Sequence, residues 1–182
     1  MVYEPLEDSF LLQKWVKKTC KDKTVLDMGT GNGIQAITAA VNSARRVVAV
    51  DIDDNSLEYA KSAAKLKNAT IEFRQSDLFS NIYENEEFDI IVFNPPYFPN
   101  DELFENTGLT GGKIGNELTI RFIKESASHL SRKGFLLVIL SSISNPESTF
   151  NEAKKAGFDY QIMEESKLDN ESLYCVKFTL KK

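Results

Sequence analysis

The chain is poor in the residues that build metal and thiol chemistry. It carries two cysteines, one histidine and one tryptophan among 182 residues. Cys20 and Cys175 do not form a Cys-x-x-Cys pair, and His129 alone cannot complete a zinc site with them, so no metal is expected. The cysteines read as buried or surface thiols, and His129, late in an expected helix, as a surface or helix-end residue. Long apolar runs are missing too. No stretch approaches the roughly 20 apolar residues of a membrane span, and Met1 to Asp8 is acidic where a signal peptide would be basic and then apolar. The expectation is a cytoplasmic protein with no membrane partner. Basic charge is also short: 22 Lys and Arg against 27 Asp and Glu give a net charge of -5. That weighs against a long nucleic-acid duplex as partner, because binding phosphates needs a basic face.

The length suits one domain over residues 1–182, large enough to bury roughly 70% of its unfolded surface without staples. No internal repeat interrupts it. Short apolar runs alternate with helical segments, the pattern of βαβ units around a parallel sheet. Strands are expected over 24–28, 46–51, 70–74, 88–93, 134–140, 158–163 and 173–180. Helices are expected over 8–18, 34–41, 55–67, 114–130 and 146–156. The last two strands have no helix between them, so they run antiparallel. The expected fold class is therefore α/β, a seven-stranded, mostly parallel sheet with one reversed strand near an edge and helices on both faces.

Three features point to a ligand. First, Val25-Leu26-Asp27-Met28-Gly29-Thr30-Gly31-Asn32-Gly33 joins the first strand to the first crossover helix. Glycines belong where the backbone turns sharply and approaches a ligand closely. The spacing is G-x-G-x-G and not the G-x-G-x-x-G of a dinucleotide site, which disfavours a dehydrogenase. A tight turn with no ligand is the plain alternative. Asp27, at the strand end, needs partners if buried: loop N–H groups or the cationic end of a ligand. Second, Asp51 ends the second strand, where an acid can accept from both ribose hydroxyls. It could instead cap the next helix, but Asp53, Asp54 and Asn55 are available for that. Third, Asp77-Leu78 follows the third strand, where a carboxylate can accept from an exocyclic amino group of adenine; a simple turn is the alternative.

Phe93-Asn94-Pro95-Pro96-Tyr97 follows the fourth strand, the end of a parallel sheet at which open α/β folds bind ligands. An amide or aryl amino nitrogen is a poor nucleophile because its lone pair is delocalised. The Asn94 side-chain carbonyl can accept one of its N–H groups and the Pro95 carbonyl the other, with the prolines fixing where that carbonyl points. Two such acceptors hold the lone pair toward an incoming methyl group and stabilise the positive charge that grows on the nitrogen. Tyr97 can stack on the planar group. A rigid turn closed by an aromatic is the bland alternative. The segment from Asn94 to Gly112 is longer than most connections, as functional loops are. It carries Asp101, Glu102 and Glu105 with no basic residue, an acidic mouth suited to a basic peptide.

With these residues in hand, the chain resembles the HemK-type release-factor glutamine methyltransferases, in particular the short branch of archaea and eukaryotes. The resemblance opens with Val2-Tyr3-Glu4-Pro5-Leu6-Glu7-Asp8-Ser9-Phe10-Leu11-Leu12. It runs through Gly29–Gly33, Asp51, Asp77-Leu78, Asn94–Tyr97 and Thr110-Gly111-Gly112-Lys113-Ile114-Gly115, and closes with Glu171-Ser172-Leu173-Tyr174-Cys175-Val176-Lys177-Phe178-Thr179. It implies a Rossmann-like class I methyltransferase using S-adenosyl-L-methionine. The implied substrate is the side-chain amide of the glutamine in the Gly-Gly-Gln loop of the class I translation termination factor. It implies cofactor contacts at Ser9, Asp27, Gly29, Gly31, Asp51, Asp77, Leu78 and Asn94, with residues 1–20 as a helical segment over the cofactor site. It places Asn94 on the substrate amide as well, and the reading of the motif above adds Pro95, Pro96 and Tyr97 as expected substrate contacts, with Asn94, Pro95 and Tyr97 carrying the catalysis. Ser9 stands where the family usually has Thr, and Asp27 where the eukaryotic branch has Glu; hydroxyl and charge are retained. Short-branch members resemble catalytic subunits that work with a small zinc-binding activator protein. The third strand, expected at a sheet edge and free of proline, could accept an added strand from such a partner. Two other readings stand beside this one. An adenine amino-group methyltransferase acting on DNA or RNA would use the same Asn94–Tyr97 geometry, and a non-catalytic scaffold would bind cofactor alone.

Overall fold

The computed structural model describes residues 4–98 and 112–181. The elements run α1 (Glu7–Thr19), β1 (Thr24–Met28), α2 (Ile34–Val41), β2 (Arg46–Asp51), α3 (Asp54–Leu66), β3 (Glu72–Gln75), β4 (Phe88–Phe93), α4 (Glu117–Ser126), β5 (Leu130–Ser141), α5 (Pro146–Lys155), β6 (Phe158–Lys167) and β7 (Ser172–Leu180). The seven strands form one sheet in the order β3-β2-β1-β4-β5-β7-β6. Pairing is parallel from β3 to β5, and β7 runs antiparallel to both β5 and β6. The expected single reversed strand is β7, and β3 lies at an edge.

Strand order explains where a ligand can sit. The chain lays β1, β2 and β3 in one direction, then crosses back to place β4 and β5 on the other side of β1. This reversal opens a crevice beyond the carboxyl ends of β1 and β4. The registers Met28↔Val50 and Met28↔Phe93 bring the ends of β1, β2 and β4 level. Gly29, Asp51 and Asn94, the residues that come next, therefore meet at one rim.

Side chains alternate across the sheet. Leu26, Met28, Val48, Val50, Ile91 and Phe93 face a core completed by Phe122 and Ile123 of α4. Val25, Val47, Ala49, Ile90 and Val92 face a second core with Leu12 and Val16 of α1 and Ala36 and Ala39 of α2. Asp27 shares the parity of Val25, so it lies on the α1/α2 face. Both cysteines are buried, and burial pushes the Cys175 thiol up to about 12, which leaves it unreactive.

The boundaries depart from expectation by two residues or more in four places. β3 spans Glu72–Gln75, two residues later than expected, because Asn68 adopts a left-handed conformation and the Ala69 amide donates back to Ala64, which prolongs the turn out of α3. The expected helix over 114–130 shrinks to α4. Gly115 takes φ 91° ahead of it, and after Ser126 the chain tightens into a single 3₁₀ turn over Ala127–His129. β5 already begins at Leu130, where it pairs with Phe88 across an irregularity. Gly134 permits this: a Cβ there would approach the Phe88 carbonyl to 2.8 Å. β6 extends to Lys167 through a register shift between Ile162 and Glu164. His129 is not at the surface, although it does end the helical segment, as the last residue of the 3₁₀ turn that continues α4. It is buried, its ring lies parallel to Phe79 at 5.0 Å, and its Nδ1 sits 3.0 Å from the Glu86 carbonyl.

Phe122 is 0% exposed and packs at 4.6 Å between ring centroids on Phe93, the residue before Asn94. Phe122→Ala is expected to cost about 3–5 kcal/mol of stability. Leu66→Ala, at a position 84% exposed, is expected to change it by less than about 0.5 kcal/mol. Urea denaturation followed by circular dichroism checks both.

Candidate functional site

A cleft of about 730 Å³ opens at the carboxyl ends of β1, β2, β3 and β4. Its walls include Asp8, Ser9, Asp27, Gly29, Gly31, Gln35, Asp51, Asp77, Leu78 and Asn94 through Phe98. Every residue expected to touch cofactor or substrate lines this one cavity.

The glycine turn forms its floor. Gly31 takes φ 54°, and a Cβ at this position would find nothing within 4 Å. Glycine is required there by the left-handed backbone and not by packing, and the space above it is open for a ligand. Gly31 N–H donates to Asp51 Oδ2 at 2.8 Å, and Asp53 N–H donates to Asp51 Oδ1 at 3.0 Å. Asp51 thus ties the glycine turn to the end of β2. Each oxygen keeps a second lone pair for a ligand hydroxyl. Capping of α3 falls to Asp53, whose side chain accepts from the Asn55 amide.

Asp27 is buried on the cavity wall. Its Oδ2 accepts from Thr30 Oγ1 at 2.6 Å and from the Ala36 amide in the first turn of α2 at 3.0 Å. Burial dominates these bonds, and the nearby Asp51 charge adds to it, so the carboxyl is pushed up to about 7. Gln35 also faces this region. Its Nε2 donates to the Ser9 carbonyl at 2.9 Å, while its buried Oε1 has no hydrogen-bond partner. An orphan acceptor beside a buried carboxylate fits the cationic amino-acid end of a nucleoside cofactor.

Asp77 lines the cavity, but Arg121 of α4 grips its carboxylate with contacts of 3.1 and 3.2 Å. Leu78 is buried with φ 45°, a conformation rare for a residue with a Cβ, and Ser76 Oγ donates to its carbonyl at 2.7 Å.

At the far end, Pro95 is buried. Asn94 Nδ2 donates to Asp8 Oδ2 at 3.2 Å and lies 3.4 Å from Ser9 Oγ. With the nitrogen so placed, Asn94 Oδ1 is left shielded from water and without a hydrogen-bond partner. Leaving a buried acceptor unmade costs roughly 1–3 kcal/mol. Asp8, Gln35 and Arg121 are the residues that sequence reading missed. For Asp8 a signal existed: it shares the buried stripe of α1 with Leu11, Leu12 and Val16, where a carboxylate has no packing purpose. The acidic residues Asp101, Glu102 and Glu105, like Val2, Tyr3, Thr110 and Gly111, lie outside the described residues.

The reversed β7, the glycine turn tied to an acidic β2 end and the Asn-Pro-Pro-Tyr segment at the same rim together define an S-adenosylmethionine-dependent methyltransferase. Comparison with known proteins agrees. Residues 7–159 match the methyltransferase small domain, and the chain belongs to that family. A Methanocaldococcus jannaschii protein, named as a candidate protein N5-glutamine methyltransferase, is 39% identical over 180 residues, covering 96% of this chain and 90% of its own. A release factor glutamine methyltransferase of Koribacter versatilis is 39% identical over 134 residues. The chain spans about half, or slightly less, of the length of such bacterial relatives. Among solved structures, that of the E. cuniculi Mtq2–Trm112 complex, described as responsible for methylation of the eRF1 translation termination factor, superposes with a TM-score of 0.78. That similarity is 26% identical and covers 99% of both chains.

Asp27 yields a test in the ligand-free protein. Its folded pKa lies above the ordinary value of 3.8, so the native state binds more protons than the unfolded state between about pH 4 and pH 7. The stability contributed by the protonated carboxyl is present below pH 4 and lost as pH rises through 7. Relative to Asp27→Asn, the wild type should therefore lose stability from pH 5.5 to pH 8. Urea midpoints at the two pH values measure this; parallel midpoints would contradict it.

Proposed function

We propose that this chain methylates the side-chain amide nitrogen of the glutamine in the Gly-Gly-Gln loop of the class I translation termination factor. The observation that carries the reading is the unpaired Asn94 Oδ1 beside the buried Pro95, an acceptor held ready for an N–H donor. The M. jannaschii relative's name and the E. cuniculi complex's described role support the substrate class.

Asp27, Gln35 and Ser9 would hold the amino-acid end of S-adenosylmethionine, Gly29 and Gly31 its nearest backbone, Asp51 the ribose, and Asp77 with Leu78 the adenine. Adenine recognition by Asp77 requires its carboxylate to share its lone pairs with Arg121. When bound, the cofactor would supply a methyl carried on a sulfonium: the N–CH3 bond would form from the nitrogen lone pair as the S–CH3 bond breaks, the sulfur leaving as a neutral thioether and one N–H proton passing to solvent. Asn94 Oδ1 and the Pro95 carbonyl accept the two N–H groups and turn that lone pair toward the methyl. They also sit where positive charge develops. Pro96 stiffens the segment, and Tyr97 packs against the substrate plane. Because Asn94 Oδ1 is shielded in this conformation, substrate entry includes a local opening of the site.

Residues 1–182 act as one methyltransferase domain in the cytoplasm, with α1 over the cofactor. No described helix is long and apolar enough to cross a membrane. A small zinc-binding activator completes the enzyme by pairing with the β3 edge. That edge is proline-free and flanked by charges: Arg74 pairs with Glu72 and Glu86, and Arg46 with the same two acids.

The test is transfer of labelled methyl from S-adenosylmethionine to the cognate termination factor, with and without activator. Label is expected on wild-type factor and not on its Gln→Asn loop variant, more strongly with activator. Asn94→Ala is expected to lower the rate by about 10²–10³-fold. Label appearing on DNA or RNA instead would move the assignment to the adenine amino group. Cofactor binding with no transfer to any of these would favour a scaffold.

A further inference from the structure

We infer that Asp8 is a positioning residue for methyl transfer: its carboxylate holds the Asn94 amide in the one orientation that presents Oδ1 to the substrate. The inference rests on the reading of Asn94 given above and deepens it.

Asp8 is 3% exposed although it lies in the first turn of α1. A carboxylate is that deeply buried only when paired. Two of its partners come from the chemical end of the cleft. Asp8 Oδ2 accepts from Asn94 Nδ2 at 3.2 Å and from the Tyr97 hydroxyl at 3.4 Å, while Oδ1 accepts from the Ser9 amide. An asparagine amide can rotate by half a turn at little steric cost, exchanging its oxygen and nitrogen. Asp8 Oδ2 is the acceptor in both contacts. Turning Asn94 over would set two acceptor oxygens against each other at that contact, so Asp8 permits one orientation. That orientation sends Oδ1 away from Asp8 to the place where it has no partner. The same contact polarises the Asn94 amide, strengthening Oδ1 as an acceptor for a nitrogen that is becoming positive.

The support behind Asp8 is stiff. Trp15 Nε1 donates to Glu164 Oε2 at 2.9 Å and Lys14 Nζ meets Glu164 Oε1 at 2.7 Å, fastening α1 to β6. Gln13 Nε2 donates to Thr38 Oγ1 at 2.9 Å, fastening it to α2. A positioning group needs such backing to hold an orientation within a fraction of an ångström.

The experiment compares Asp8→Ala, Asp8→Asn, Asn94→Ala and the Asp8→Ala/Asn94→Ala double variant, in complex with activator, on the termination factor. Asp8→Ala should lower kcat about 10²-fold while changing KM less. Asp8→Asn keeps an acceptor oxygen of the same size and should recover part of that loss. In the Asn94→Ala background, Asp8→Ala should cost less than about twofold more, because a residue acting through Asn94 has nothing left to orient. A readout free of substrate accompanies this: the side-chain ¹⁵N–¹H₂ resonances of Asn94, identified by their disappearance in Asn94→Ala, should shift in Asp8→Ala. Wild-type kcat in Asp8→Ala, fully additive losses, or unmoved Asn94 resonances would each overturn the inference. A wild type that labels no factor would instead overturn the substrate reading, leaving the resonances to decide Asp8.

Discussion

Everything at the site depends on β1 being paired on both sides by parallel strands, β2 on one and β4 on the other. A strand in that position has no free edge, so its register is fixed by two ladders at once. Its carboxyl end therefore lies level with those of β2 and β4. The glycine turn, Asp51 and Asn94 come from three separate stretches of chain, yet they meet because their strands stop at one rim. The hydrophobic cores on the two faces supply the stability, and the rim is free to carry polar groups that a core could not tolerate.

Those polar groups come with a cost that reveals their purpose. Gln35 Oε1 and Asn94 Oδ1 are buried without hydrogen-bond partners, and the Asp27 carboxyl is raised to about 7 by burial. Leu78 holds a left-handed backbone. Strain and unpaired groups of this kind are rare in a folded chain and gather where a ligand relieves them. In this protein all four line one cavity, and the two ends of that cavity differ in chemistry. Near Asp27 an acidic, acceptor-rich wall suits a cation. Near Asn94 an amide oriented by Asp8, beside the buried Pro95, suits a planar NH₂ group. A methyl passed from a sulfonium to an amide nitrogen needs both ends and little else, since no strong base has to act.

Much of this was legible in the residues. Strands β1, β2 and β4 read as apolar runs because they are covered on both faces, and their boundaries agree with the ladders. The antiparallel β6–β7 pair followed from the short connection between them. What was hidden depended on distant partners. β5 starts at Leu130 because Gly134 lets the chain pass the Phe88 carbonyl closely, a contact no local pattern encodes. His129 is buried through its stacking on Phe79, 50 residues away. Arg121 reaches Asp77 only once α4 packs beside β3's exit loop. Asp8 was different, since its place on the apolar stripe of α1 was visible in the spacing, and only its partner, Asn94, required the fold.

The central claim is that Asn94 and Pro95 present two acceptors to one amide nitrogen. The most direct measurement is a crystal structure of the enzyme with S-adenosylhomocysteine and a Gly-Gly-Gln peptide. The account predicts Asn94 Oδ1 and the Pro95 carbonyl each at about 2.7–3.2 Å from the glutamine amide nitrogen, with Asn94 Nδ2 still on Asp8. A peptide amide that faces Asn94 Nδ2, or that binds away from the Pro95 carbonyl, would contradict it.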